Sequence, residues 1–163
     1  MNWTKTSAAA EILSSVAILA TLVYLGIEIQ QNAEATQAGT RQAMLASDQQ
    51  FLELFVANPD LHLLWYKPEL DEAERVRLSY SLISHFRMRE NNWIQNQNGI
   101  LDDETWQAYR RSIPVMLSTP RTRHWWYNFG VERLFDSRFV ADVNNLIADA
   151  PIFETSPHIA VFE

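Results

Sequence analysis

The distribution of apolar positions divides the chain into two regimes. Residues 12–27 run without a charge, and residues 8–29 are interrupted only by Glu11 and Glu28 near the ends. About 20 apolar residues are wanted to cross roughly 30 Å of hydrocarbon, so this run is short for a span and long for a core helix. Trp3 and Lys5 before it and Tyr24 near its end are placed as interfacial anchors would be. The pattern predicts a membrane anchor over residues 1–29. A secretory signal peptide is the competing reading, with Lys5 as its charged start and Ala33-Glu34-Ala35 as its small-residue exit. A soluble core helix is the third.

At 3.6 residues per turn Ala10, Ser14, Ala17 and Thr21 share one stripe of the anchor, while Ile18, Leu19, Leu22 and Val23 point elsewhere. Small residues so spaced let a partner helix approach closely, which makes membrane protein subunits the expected partners beside the bilayer itself. The alternative is chance, since alanine and serine are common in such helices.

Beyond the run the rhythm becomes that of a soluble helical protein. No proline precedes Pro59, and the Gln-, Ala- and Glu-rich stretch predicts a helical stalk over 30–57, with Gly39 a possible break and Phe51 to Val56 entering a core. A bundle of about five helices follows over 58–150. Asn58-Pro59 opens a short helix reaching Trp65, and Asp71 with Glu74 caps a long one ending at Gly99. Asp102 caps a helix kinked at Pro114, Thr119-Pro120 opens one through Leu134, and Asp136 caps a last one before Pro151. No segment alternates with a strand period, so the fold class is all-α. Residues 151–163 read as an extended tail that docks through Phe153, Ile159, Val161 and Phe162, on its own bundle or on a partner.

Composition narrows the chemistry. The 163 residues carry a net charge of −7, which argues against nucleic acid as a partner. There is no cysteine, and the four glycines lie too far apart for a phosphate loop. His62, His85, His124 and His158 lack metal-ligand spacing, and no Gly-x-Ser-x-Gly elbow is present. No cofactor is expected.

Two clusters remain. On the long helix Leu82, Phe86, Trp93, Ile83, Val76 and Ile94 form an apolar face with Glu90 near its middle and Arg87 at its edge. A buried carboxylate needs a partner, so Arg87–Glu90 is expected as a buried polar pair, with Arg110 or Arg111 as alternative cations. Glu90 as a general acid or base is the catalytic alternative. The second cluster is RTRHWWYNF, where Trp125, Trp126 and Tyr127 project about 100° apart and cannot share one core stripe. With Arg121 and Arg123 they form a candidate interfacial or partner patch.

The segments VYLGIEIQQN (23–32), ENNWIQNQNGILDDETW (90–106), RHWWYNF (123–129) and FDSRFVADV (135–143) carry a resemblance. The chain resembles a family of small, uncharacterised bacterial proteins, in which an apolar N-terminal helix ends in a similar Tyr-Leu and Gln-Asn pattern before a compact helical domain. The resemblance implies a bacterial inner-membrane location and carries no activity or site with it. Relatives often have arginine where this chain has Gln30, which would draw the following domain toward the cytoplasm; here Lys5 and the amino terminus face only Arg41, favouring a cytoplasmic N-terminus. The expected function is an accessory subunit that stabilises or positions a larger membrane assembly, an energy-converting complex being one such assembly. A binding module for a lipid or small apolar ligand and an enzyme using Glu90 are the alternatives.

Overall fold

The computed structural model describes the backbone of residues 3–153, and side chains from Glu11 onward with Ile12 excepted. The described chain is all-α. Helix α1 runs from Trp3 to Ala57 with no interruption at Gly26 or Gly39. It ends where Pro59 forces the preceding residue out of the helical region: Asn58 has φ −132° and ψ 71°, and its side-chain amide donates to the Leu54 carbonyl at 3.0 Å.

The following helices are α2 (Pro59–Leu63), α3 (Glu72–Gln97), α4 (Asp103–Arg110), α5 (Ser112–Met116), α6 (Pro120–Asn128) and α7 (Ser137–Ile147), with one 3₁₀ turn at Val131–Arg133. Their starts follow local chemistry. Asp71 and Glu74 form a reciprocal capping box on α3, Asp102 accepts from Thr105 N–H at the start of α4, and Thr119 caps α6 through Thr122.

Three helix expectations need correction. Instead of kinking, the helix after Asp102 breaks into α4 and α5 at Arg111, because Pro114 has no N–H to offer the Arg110 carbonyl. Helix α6 stops at Asn128 rather than Leu134, because Gly130 adopts φ +78° and turns the chain into the 3₁₀ segment. Pro59–Leu63 is shorter than the expected helix to Trp65. The chain divides into two compact units, Met1–Thr40 and Arg41–Glu163. The last turns of α1 belong to the bundle because Met44 is buried in its core, with Asp48, Phe51 and Phe55 half-buried on the same stripe.

The bundle core centres on Phe86, whose ring meets Trp126 at 4.6 Å and Phe135 at 6.2 Å. Leu82, Ile113, Leu117, Phe139, Val143 and Ile147 close around them without solvent exposure. The buried face of α3 is rotated from the expected one. Val76 and Ile94 are exposed, while Leu78, His85, Arg89 and Asn92 are buried.

Candidate functional site

The first unit presents one chemical feature. From Leu13 to Ile29 every large apolar side chain of α1 is exposed, and Leu13, Leu19 and Ile29 are 72%, 62% and 69% accessible. Because Leu13, Val16, Leu19, Leu22 and Leu25 step around the axis and the remaining arc carries Ala17 and Tyr24 beside the hydroxyl residues, no face is polar enough to be the solvent side of an amphipathic helix. The charge-free 16 residues extend about 24 Å along the axis. Among the described residues this is the one helix long and apolar enough to cross a membrane. Its hydroxyls fold back on the backbone: Ser15 Oγ donates to the Glu11 carbonyl and Thr21 Oγ1 to the Ala17 carbonyl, each at 2.9 Å. No polar hydrogen of these two side chains is thus left needing water. Ser14, Ala17 and Thr21 are exposed on their common stripe. The side chains of Ala10, Trp3 and Lys5 lie outside the described residues.

In the second unit Glu90 is buried, and both its oxygens are occupied. Oε2 accepts from Arg87 Nη1 at 2.7 Å, and Oε1 accepts from the Asp136 backbone N–H at 2.6 Å, which ties α3 to the start of α7. The expectation of a buried pair holds for one partner only. The Arg87 side chain is half-exposed, because it leaves the core edge and lays its guanidinium 4.8 Å over the Phe135 ring. Arg110 serves elsewhere, pairing with Asp142 at 2.6 Å, and Arg111 is exposed.

A larger buried polar group escapes the sequence reading. Arg89, 5% exposed, forms a two-pronged ion pair with Asp48 of α1. Its guanidinium also stacks 5.1 Å from the Tyr109 ring. With its amide oriented to match, Asn92 accepts from Arg89 Nη1 at 3.0 Å and donates to the Met88 carbonyl at 3.1 Å. Beside them His85 lies between Phe51 and Phe86, with Nε2 3.4 Å from Ser112 Oγ. Burial, and secondarily the Arg89 charge, pushes His85 down to about 3, so the ring is neutral at physiological pH. Burial chiefly, with the Asp48 charge, pushes the Tyr109 hydroxyl up. The signal was present in the pattern: Asp48 shares a helical stripe with Met44, Phe51 and Phe55, and Arg89 shares one with Leu82, Phe86 and Trp93. A charge on an apolar face signals that a partner is needed, without saying which one.

The RTRHWWYNF residues do not form a common surface patch. Trp126 is fully buried, its Nε1 donating to Asn144 Oδ1 at 2.8 Å. Trp125 is half-buried and donates to Ser79 Oγ at 2.8 Å. Tyr127 is exposed. Both arginines clasp backbone. Arg121 donates to the carbonyls of Leu64, Lys67 and Pro68, and Arg123 to those of Leu117, Ile147 and Ala150. The planar fork of arginine suits such multiple donation, and it ties loop ends that helix geometry leaves unpaired.

At the tail, Phe153 N–H donates to the Ser118 carbonyl at 2.6 Å while its side chain stays 41% exposed; Ile159, Val161 and Phe162 lie outside the described residues. Among the described residues no three His, Cys, Asp or Glu side chains gather as a metal site. The chain matches no protein-family model, no curated protein and no solved structure.

Proposed function

We propose that the protein is a single-pass bacterial inner-membrane protein that acts as an accessory subunit, its helical bundle stabilising or positioning a larger membrane assembly. The observation that carries this reading is the exposure of apolar side chains on all sides of α1 between Leu13 and Ile29. Nine Leu, Ile and Val residues fall within 12–27. At roughly −0.3 to −0.6 kcal/mol each, they favour insertion by about 3–5 kcal/mol. The bundle supports a scaffolding role because its most conspicuous charged groups are engaged in holding helices and loop ends together. Lys5 before the apolar run supports a cytoplasmic N-terminus, with the bundle on the far side. Partners are membrane subunits that pack on the Ser14, Ala17 and Thr21 stripe.

Alkaline carbonate extraction tests the anchor: the protein stays in the pellet, and quantitative release refutes insertion. Leu19→Arg replaces a favourable residue by one costing about 2.5–3.5 kcal/mol at a helix centre, so it removes most of the insertion free energy and releases the protein. Because the chain is free of cysteine, Ser7→Cys and Glu69→Cys report orientation with a membrane-impermeant maleimide. Glu69→Cys is labelled in intact spheroplasts and Ser7→Cys is not; the reverse pattern refutes the topology.

A further inference from the structure

Between the first half of α3 and α6 the bundle carries an open groove of about 570 Å³. Its apolar surface comes from Leu70, Val76, Leu78, Trp125 and Phe129. Val76 and Phe129 are nearly half accessible, at 48% and 46%, although both adjoin a well-filled core. The floor is preformed. Trp125 stacks on Phe129 at 5.1 Å and on Phe86 at 6.2 Å, and its bond to Ser79 fixes the ring plane. A ligand therefore meets apolar surface that needs no further ordering.

The charge around this floor has one sign. Arg75 and Arg121 line the groove and no carboxylate does, on a chain whose net charge is −7. Arg121 is held by three backbone carbonyls, which fix the guanidinium without neutralising it. Arg75 reaches the Asp71 carbonyl at 3.3 Å and pairs with no carboxylate among the described residues. Of the acids near it in sequence, Asp71 caps α3 and Glu74 bonds the Asp71 N–H and Lys67, while Glu72 forms no ion pair with it among the described residues. An apolar trough beside two cations, with no acid in its lining, is complementary to a molecule with an apolar body and an anionic head.

We propose that this groove binds a single-chain anionic amphiphile, a long-chain fatty carboxylate, with its chain along Val76, Trp125 and Phe129 and its head at Arg75 and Arg121. The volume lies within the roughly 300–1,000 Å³ of small-molecule sites. It suits one acyl chain, whereas a two-chain phospholipid would leave its second chain in water. The groove lies wholly within the Arg41–Glu163 unit, so the proposal stands whether or not α1 spans a bilayer.

The test uses the full chain in phosphatidylcholine nanodiscs and a diazirine-bearing palmitic acid, with crosslinked residues mapped by mass spectrometry. Labelling falls within residues 70–79 and 121–129 and is competed by unlabelled palmitate. Removing one exposed charge pair corresponds to about a twofold to fivefold weakening, and reversing the charge to more. Arg75→Glu therefore lowers labelling about fivefold or more. Val76→Asp, which puts a carboxylate in the trough, does the same. Both side chains are exposed, so both variants keep the wild-type melting temperature; should Val76→Asp fail to fold, Arg75→Glu still decides. The corresponding diazirine alcohol, lacking the charge, labels the groove weakly. Equal labelling by acid and alcohol, unchanged labelling of Arg75→Glu, or labelling confined to α1 overturns the proposal. Labelling of the groove by photoreactive phosphatidylglycerol but not by the free acid overturns it too, by assigning the site to a bilayer lipid.

Discussion

Replacing Glu90 by glutamine tests whether this buried carboxylate is a structural tie or a catalytic group. The wild-type side chain accepts two charge-assisted hydrogen bonds, from Arg87 at 2.7 Å and from the Asp136 N–H at 2.6 Å. Such bonds are worth about 1.5–3 kcal/mol each, against about 1 kcal/mol for neutral ones. Glutamine keeps an oxygen for the Asp136 N–H, so roughly 1 kcal/mol is lost there. Its amide turns toward Arg87, but the half-exposed guanidinium returns to water, and about 1 kcal/mol more is lost. The sum of about 2 kcal/mol corresponds to a fall in melting temperature of roughly 6–8 °C for a domain of this size. Arg87→Ala removes only the exposed partner and its contact with the Phe135 ring, and costs about 1 kcal/mol. Glu90→Leu leaves the Asp136 N–H without its acceptor and Arg87 without its anion, and costs about 3–5 kcal/mol. Circular dichroism at the helical band, on the full chain in mild detergent, gives the three midpoints. The reasoning fails if Glu90→Gln melts with wild type or if Arg87→Ala is the more damaging of the two. Unchanged stability together with a lost turnover would instead make Glu90 catalytic.

Further expectations follow from the same structure. His85 is held neutral when folded and has an ordinary histidine value when unfolded, so the unfolded chain binds more protons below about pH 6.5 and stability falls as pH falls. At pH 5 the loss is about 2 kcal/mol relative to pH 7; His85→Gln should abolish this part of the pH dependence of the melting temperature, and an unchanged profile would show that another group carries it. Asp48→Ala strands the buried Arg89 guanidinium and is expected to cost about 3–5 kcal/mol in chemical denaturation, with a loss below 1 kcal/mol counting against the pair. Gly130→Ala and Gly39→Ala should differ in sign, since neither added Cβ meets a neighbour. The first forces φ +78° on alanine and costs about 1–2 kcal/mol, while the second removes a glycine from a helix interior and adds about 0.5–1 kcal/mol to helix stability, both read by thermal melting.

What the amino-acid sequence determined by itself was the helix starts and one ion pair made within about one turn of chain. The caps at Asp71, Asp102, Thr119 and Asp136 are side chains bonding backbone two or three residues ahead, so their types and spacing suffice to place the helix starts. The same locality makes Arg87–Glu90 legible three residues apart, and the apolar run of α1 legible by length alone. Tertiary structure decided where groups far apart in sequence meet. Asp48 and Arg89 are 41 residues apart, and Arg121 reaches carbonyls more than fifty residues upstream. Periodicity shows that a face is apolar, but not how far it is rotated, so Val76 and Ile94 read as core residues and nothing in the pattern marks His85 and Asn92 as buried. An arginine beside tryptophans has the same pattern whether it meets a lipid phosphate or a loop carbonyl. Only the positions of Leu64 and Ile147 decide that Arg121 and Arg123 give donors to their own backbone, Arg121 three of its five, because a guanidinium uses whatever acceptors the fold brings within reach.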